Sequence, residues 1–173
     1  MLNRLLWFLD RVSGTSGAVA AWLVIPLIVA SCYEVFSRYV LGQPTLWAFE
    51  VGYMMMGTHF LVGLAYTLRE SGHIRVDLFY GRLSRKKQAL IDAFTYVVLL
   101  LPLTFALSLG FWEKVLKAYA SQERSGISAF NPLIWPYRAV FFAAFTLLAL
   151  QALAQLIRCY QILANVRPAG EER

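Results

Sequence analysis

LIWPYRAVFFAAFTLLALQALAQLI, residues 133–157, decides the fold. The stretch holds a single charged residue, Arg138. An α-helix rises about 1.5 Å per residue, so about 20 apolar residues cross the hydrocarbon core of a bilayer. Lipid offers the backbone no hydrogen-bonding partner, which leaves only helices and closed barrels as spanning structures. The run is continuous rather than alternating, so it reads as a helix. Three further stretches, near 17–36, 47–68 and 90–112, meet the same test. The expected fold is therefore all-α and integral to the membrane, one domain over 1–173 with four transmembrane helices.

The composition agrees. The chain is 59% hydrophobic and 15% charged, with a mean hydropathy of +0.57, against about 25% charged for an ordinary soluble domain. Its net charge of +6 does not point to nucleic acid, because the basic residues sit in loops beside the spans. There they set topology and meet anionic lipid headgroups. Eleven of the 16 Lys and Arg residues fall before the first span, between the second and third, or after the fourth. This bias predicts cytoplasmic termini and a cytoplasmic second loop. Trp47, Trp112 and Trp135 then gather near the outer interface. Residues 28–32, Ile-Val-Ala-Ser-Cys, resemble a lipoprotein cleavage box, but the following Tyr33-Glu34-Val35-Phe36 is no flexible tether, and a retained first span is expected. Cys32 and Cys159 lie toward opposite ends of different spans, too far apart for a disulfide. Both read as buried small apolar residues.

Two short amphipathic stretches beside the spans read almost equally as helices lying in the headgroup plane or as extensions of the adjacent transmembrane helices. In residues 2–12, Leu2, Leu5, Leu6, Leu9 and Val12 share a helical face, and Gly14 and Gly17 permit a turn into the first span. In residues 76–83, Val76, Phe79, Tyr80 and Leu83 share one. Pro26 and Pro102 fall within spans and can kink them.

Ionisable groups within spans are costly and mark candidate sites. Glu34 and Arg38, four residues apart, suit a local ion pair. Glu50 lies one turn inside the second span, three residues after Trp47. It reads equally as a carboxylate reaching for the interface or as a partner for a basic group on another helix or subunit. His59 is the deepest, at mid-span. It serves either a functional role or, the preferred reading, a neutral hydrogen bond across a helix interface, since no second deep acid or base is available for a relay. Gln151 and Gln155 share a face and suit helix–helix hydrogen bonding. Ala48 with Gly52, and Ala139 with Ala143, form small-xxx-small pairs. No metal cluster, nucleophilic triad or phosphate loop is present, so no enzyme and no cofactor is expected. A bis-histidine haem would need two facing imidazoles, and His73 lies in a loop. That weighs against the alternative class, a membrane anchor of a respiratory enzyme complex.

Two segments carry a family resemblance. Arg38-Tyr39-Val40-Leu41-Gly42-Gln43-Pro44-Thr45-Leu46-Trp47-Ala48-Phe49-Glu50 leads into the second span, and Gly72-His73-Ile74-Arg75-Val76-Asp77 leaves it. Together they resemble the DctQ-like small membrane subunit of tripartite ATP-independent periplasmic (TRAP) transporters. Members often carry two adjacent acids after the tryptophan; Phe49 replaces one here. Glu123-Arg124-Ser125 with Pro132-Leu133-Ile134-Trp135-Pro136 is similar to the branch associated with α-keto acids and related organic acids. The resemblance implies a bacterial inner-membrane location and a non-catalytic scaffold. It implies as partners a large DctM-like membrane subunit bearing the sodium-coupled transport site, a DctP-like periplasmic substrate-binding protein, and membrane lipids. Candidate subunit contacts are Arg38, Trp47, Glu50 and His59, with Arg75 and Asp77 organising the second loop.

Overall fold

A computed structural model describes residues 2–70 and 83–164. Four helices account for most of them: α1 (Leu2–Tyr39), α2 (Ala48–Arg69), α3 (Arg85–Ala120) and α4 (Trp135–Leu163). All four are long and apolar enough to span a membrane. Among the described residues the only extended pairing is a single bridge between Arg124 and Leu133. Arg75 and Asp77 of the second loop, and residues 76–82 of the amphipathic stretch expected over 76–83, lie outside the described residues.

The first interfacial helix does not exist as a separate element. α1 runs unbroken for 38 residues, about 57 Å at the helical rise, nearly twice the about 30 Å hydrocarbon thickness. The apolar face of its first turns lies against α4: Leu6 and Leu9 bury with Ala154 and Ile157. Gly14 and Gly17 are not hinges. A Cβ on Gly14 would lie 2.6 Å from Arg69 Nη1, and one on Gly17 would lie 2.7 Å from Cδ2 and 2.9 Å from Cβ of Tyr66. These glycines let α2 approach the α1 backbone, so the helix continues through them.

α3 also exceeds its expected span. Its first section, Arg85–Thr95, widens into a π turn at Tyr96–Leu100 before continuing as Leu101–Ala120. Pro102 explains the site. It has no N–H for the Val98 carbonyl, and its ring crowds that carbonyl, so the wider turn accommodates it. Thr104 Oγ1 donates to the carbonyls of Leu100 at 2.7 Å and Leu101 at 3.2 Å. The two cysteines separate: Cys159 is buried, but Cys32 faces outward, because its side of α1 meets no other helix.

The helices form a row in the order α1, α2, α4, α3, with the N-terminal part of α1 also leaning on α4. The core clusters Leu68 of α2, Ala89 and Tyr96 of α3, and Leu148, Ala152 and Cys159 of α4. A row buries little. Of the most apolar stretch of each span, 11% is buried in α1, α2 and α3, and 28% in α4. The broad faces of the row are left to the surroundings.

Candidate functional site

The contacts between helices define two polar clusters, one at each end of the row. At the end carrying the termini, α1 and α4 are clamped. Arg158 pairs with Asp10, whose other oxygen accepts from Gln151 Nε2 at 3.2 Å. Ser13 donates to Gln151 Oε1 at 2.8 Å, and both residues are fully buried. Gln155 donates to the carbonyls of Leu68 and Arg69, each at 3.3 Å, closing the C-terminal end of α2. The helix–helix bonding expected of the two glutamines is therefore observed. Asp10, Ser13 and Arg158 were not legible as its other half, since they lie about 140 residues from their partners.

At the opposite end the α1–α2 and α3–α4 loops fold over the start of α2. Glu34 accepts from Arg38 Nε at 2.9 Å, from the Thr45 N–H at 2.9 Å, and from the Thr45 hydroxyl. The expected Glu34–Arg38 pair thus also anchors the α1–α2 loop, and Trp47 stacks on Tyr33 at 6.0 Å. Arg38 itself remains half exposed.

Glu50 is fully buried, in the first turn of α2, where the helix dipole favours an anion. Within this chain it neither reaches the interface nor meets a basic group on another helix. It accepts from the Ser125 hydroxyl and from Ser128 Oγ at 2.7 Å. The two serines in turn accept from the N–H groups of Ile127 at 3.5 Å and Phe130 at 3.1 Å. One carboxylate therefore gathers the α3–α4 loop, 75 residues further along the chain. Asn131, in a left-handed conformation at φ 45°, holds the Gly126 N–H at 2.9 Å through its side chain. Arg138 grips both oxygens of Glu123 at 2.8 and 2.6 Å. The result is an ordered loop with Ile127 and Phe130 exposed at its tip.

Between the two ends, polar contacts are single. His59 Nδ1 lies 2.7 Å from the Ala20 carbonyl oxygen, the cross-helix bond favoured by its position. Ser108 and Thr146 join α3 to α4 at 2.6 Å. Apolar junctions complete the row. A Cβ on Gly57 would fall on the Tyr137 hydroxyl, and Phe111 stacks on Phe141 and Phe145 at 4.7 and 5.8 Å. Of the small-xxx-small positions, Gly52 makes no close approach: nothing lies within 4 Å of a Cβ built there.

Among the described residues no three His, Cys, Asp or Glu side chains converge as metal ligands. The polar groups are arranged to hold helices and loops to one another.

Comparison with known proteins gives two findings. The model of the DctQ family, described as the DctQ component of tripartite ATP-independent periplasmic transporters, matches residues 27–161, more than half of the chain. The chain is also similar to the sialic acid TRAP transporter small permease protein SiaQ of Vibrio cholerae serotype O1. The two are 22% identical over 107 residues, which cover 62% of each protein.

Proposed function

Because this chain belongs to the DctQ family of tripartite ATP-independent periplasmic transporter components, we propose that it is the small permease subunit that braces a larger membrane subunit in a sodium-coupled importer of organic acids. The observation that carries the bracing role is the flat row. Three of its four spans have only 11% of their most apolar stretch buried, while its polar side chains are spent on fastening helices and loops. Such a chain offers wide membrane-embedded faces to a partner and to lipid. The organic-acid reading draws on the similarity to a small permease protein of a sialic acid transporter and on the Glu123–Pro136 segment.

In this reading the end carrying the termini faces the cytoplasm, as the basic residues around the spans favour. The Ser121–Ile134 loop then faces the periplasm, where its ordered tip helps dock the substrate-binding protein. Arg38, half exposed at that same end, and Trp47 beside it are offered as further contacts. Arg75 and Asp77 are assigned to ordering the cytoplasmic loop.

Reconstitution tests the proposal. Vesicles holding this chain, the large subunit and the binding protein should take up organic acid under an inward sodium gradient. Vesicles lacking this chain should lose that uptake. Flux through this chain alone, or full uptake without it, refutes the bracing role. Labelling of a cysteine placed at Ser121 from outside the cell, with one placed at Arg173 protected, checks the orientation.

A further inference from the structure

Most polar groups within the spans are closed onto neighbours in the same chain. Gln151 is held by Ser13 and Asp10, Ser108 by Thr146, and Glu50 by two serines. His59 is closed on one side only. The Ala20 carbonyl can only accept, so the 2.7 Å contact requires the proton on Nδ1, and a neutral ring then presents Nε2 as a bare acceptor. Among the described residues no hydrogen bond to Nε2 accompanies that contact, and His59 is only partly buried. His59 stands midway along the 22-residue α2, at a depth where hydrocarbon supplies no donor and water is absent.

The surrounding surface has a second unusual property. Gly52, Met56, His59 and Phe60 fall at offsets of zero, four, seven and eight, which place them on one helical stripe. Gly52 leaves open space around a would-be Cβ. Met56 and Phe60 are exposed at 50% and 61%. Glycine lets another backbone come close, and methionine adapts its shape to whatever packs on it. An acyl chain gains nothing from either and has no donor for the imidazole.

We infer that the Gly52–Met56–His59–Phe60 stripe seats a transmembrane helix of the large permease subunit, and that this helix brings a hydroxyl or amide N–H to His59 Nε2. The inference rests on the reading above that such a subunit is the partner. It adds which face of the row is used and the chemistry that meets it. α2 serves as the contact helix, with Nδ1 of one imidazole tying it to α1 while Nε2 ties it to the neighbour.

The test uses the full chain co-expressed with a tagged large subunit, extracted in mild detergent and recovered by the tag. Gly52→Leu fills space that is empty in this chain, so the chain alone should keep its melting temperature while recovery with the partner falls about tenfold or more. His59→Asn retains an amide N–H for Ala20 and removes the second ring nitrogen; recovery should fall with little change in the chain's own melting. Met56→Cys should cross-link to the large subunit. Wild-type recovery of both variants overturns the inference. So does a Met56→Cys homodimer, which would put a second copy on the stripe, or labelling of that cysteine by a lipid-soluble maleimide with no cross-link, which would leave it to lipid. Failure of the unaltered chain to recover any large subunit sinks the bracing role itself and is told apart by that control.

Discussion

Gly17→Ala is the sharpest test of how α1 and α2 are joined. Helix propensity alone makes the change favourable, by about 1 kcal/mol for alanine over glycine inside a helix. Packing reverses the sign. The added methyl would lie 2.7 Å from Cδ2 and 2.9 Å from Cβ of Tyr66. A rotamer change moves the ring but leaves Cβ in place, so it cannot clear the 2.9 Å contact. Tyr66 Cγ lies nearer still, so restoring ordinary contacts near 3.4 Å moves the helices apart by at least about 0.7 Å. One turn further on, the His59–Ala20 contact of 2.7 Å stretches toward about 3.4 Å, the edge of hydrogen bonding. Overpacking costs about 1–3 kcal/mol, and a lost interhelical bond within a membrane about 0.6 kcal/mol. Set against the propensity gain, the net is about 0.5–2.5 kcal/mol of destabilisation. The assay is reversible unfolding in mixed micelles, with Gly110→Ala as the matched control, because a methyl on Gly110 meets nothing within 4 Å. The control should be neutral or stabilised. If Gly17→Ala matches or exceeds its stabilisation, the close approach of α1 to α2 is wrong.

Three further outcomes follow from the same geometry. Gly57→Ala should destabilise by about 1–3 kcal/mol, and Tyr137→Phe in the same chain should restore most of it, since the clash is with the hydroxyl and the next ring atom stands at 3.2 Å; an unrescued double variant would exclude that contact. Arg158→Ala and Asp10→Ala should show a coupling energy of about 1–3 kcal/mol in a double-mutant cycle, between the exposed and buried extremes, because their side chains are 19% and 24% exposed; additive effects would leave the clamp without an energetic role. Glu50→Ala should release the Ser121–Ile134 loop, read as faster labelling of a cysteine at Ile127 and faster proteolysis there; unchanged rates would show that the loop is ordered without Glu50.

How much of this was readable beforehand depends on how far apart the interacting residues lie. The four spans were legible because length and apolar content decide them locally. Glu34 and Arg38 were legible because four residues bring two side chains together on any helix. Gly14 and Gly17 were misread because a glycine serves a turn and a close approach equally well. Arg69 and Tyr66, about 50 residues away, decide between them. Glu50 shows the same limit. Its partners are serines in a polar loop, and nothing local marks Ser125 and Ser128 as ligands for a carboxylate 75 and 78 residues earlier. Cys32 was assigned to the interior because an apolar span looks the same whether lipid or protein surrounds it.

That equivalence also explains how so open an arrangement holds together. In lipid, burying a leucine against another helix removes it from surroundings that are just as apolar, so helix association needs close packing and hydrogen bonds instead. Each junction of the row supplies both. α1 meets α2 through Gly17 and Tyr66, then through Ala20 and His59. α2 meets α4 through Gly57 and Tyr137, then through Gln155 and the last carbonyls of α2. α3 meets α4 through stacked phenylalanines and the Ser108–Thr146 bond. The charged clamps, Asp10 with Arg158 and Glu123 with Arg138, stand at opposite ends. A row joined edge to edge shears most easily where helices slide along their axes, and clamps at both ends oppose that motion with the longest lever. The broad faces need no such polar fastening and stay available. A chain fastened this way resists shear in its own plane and leaves its faces open to contact, which is what the proposed bracing role requires.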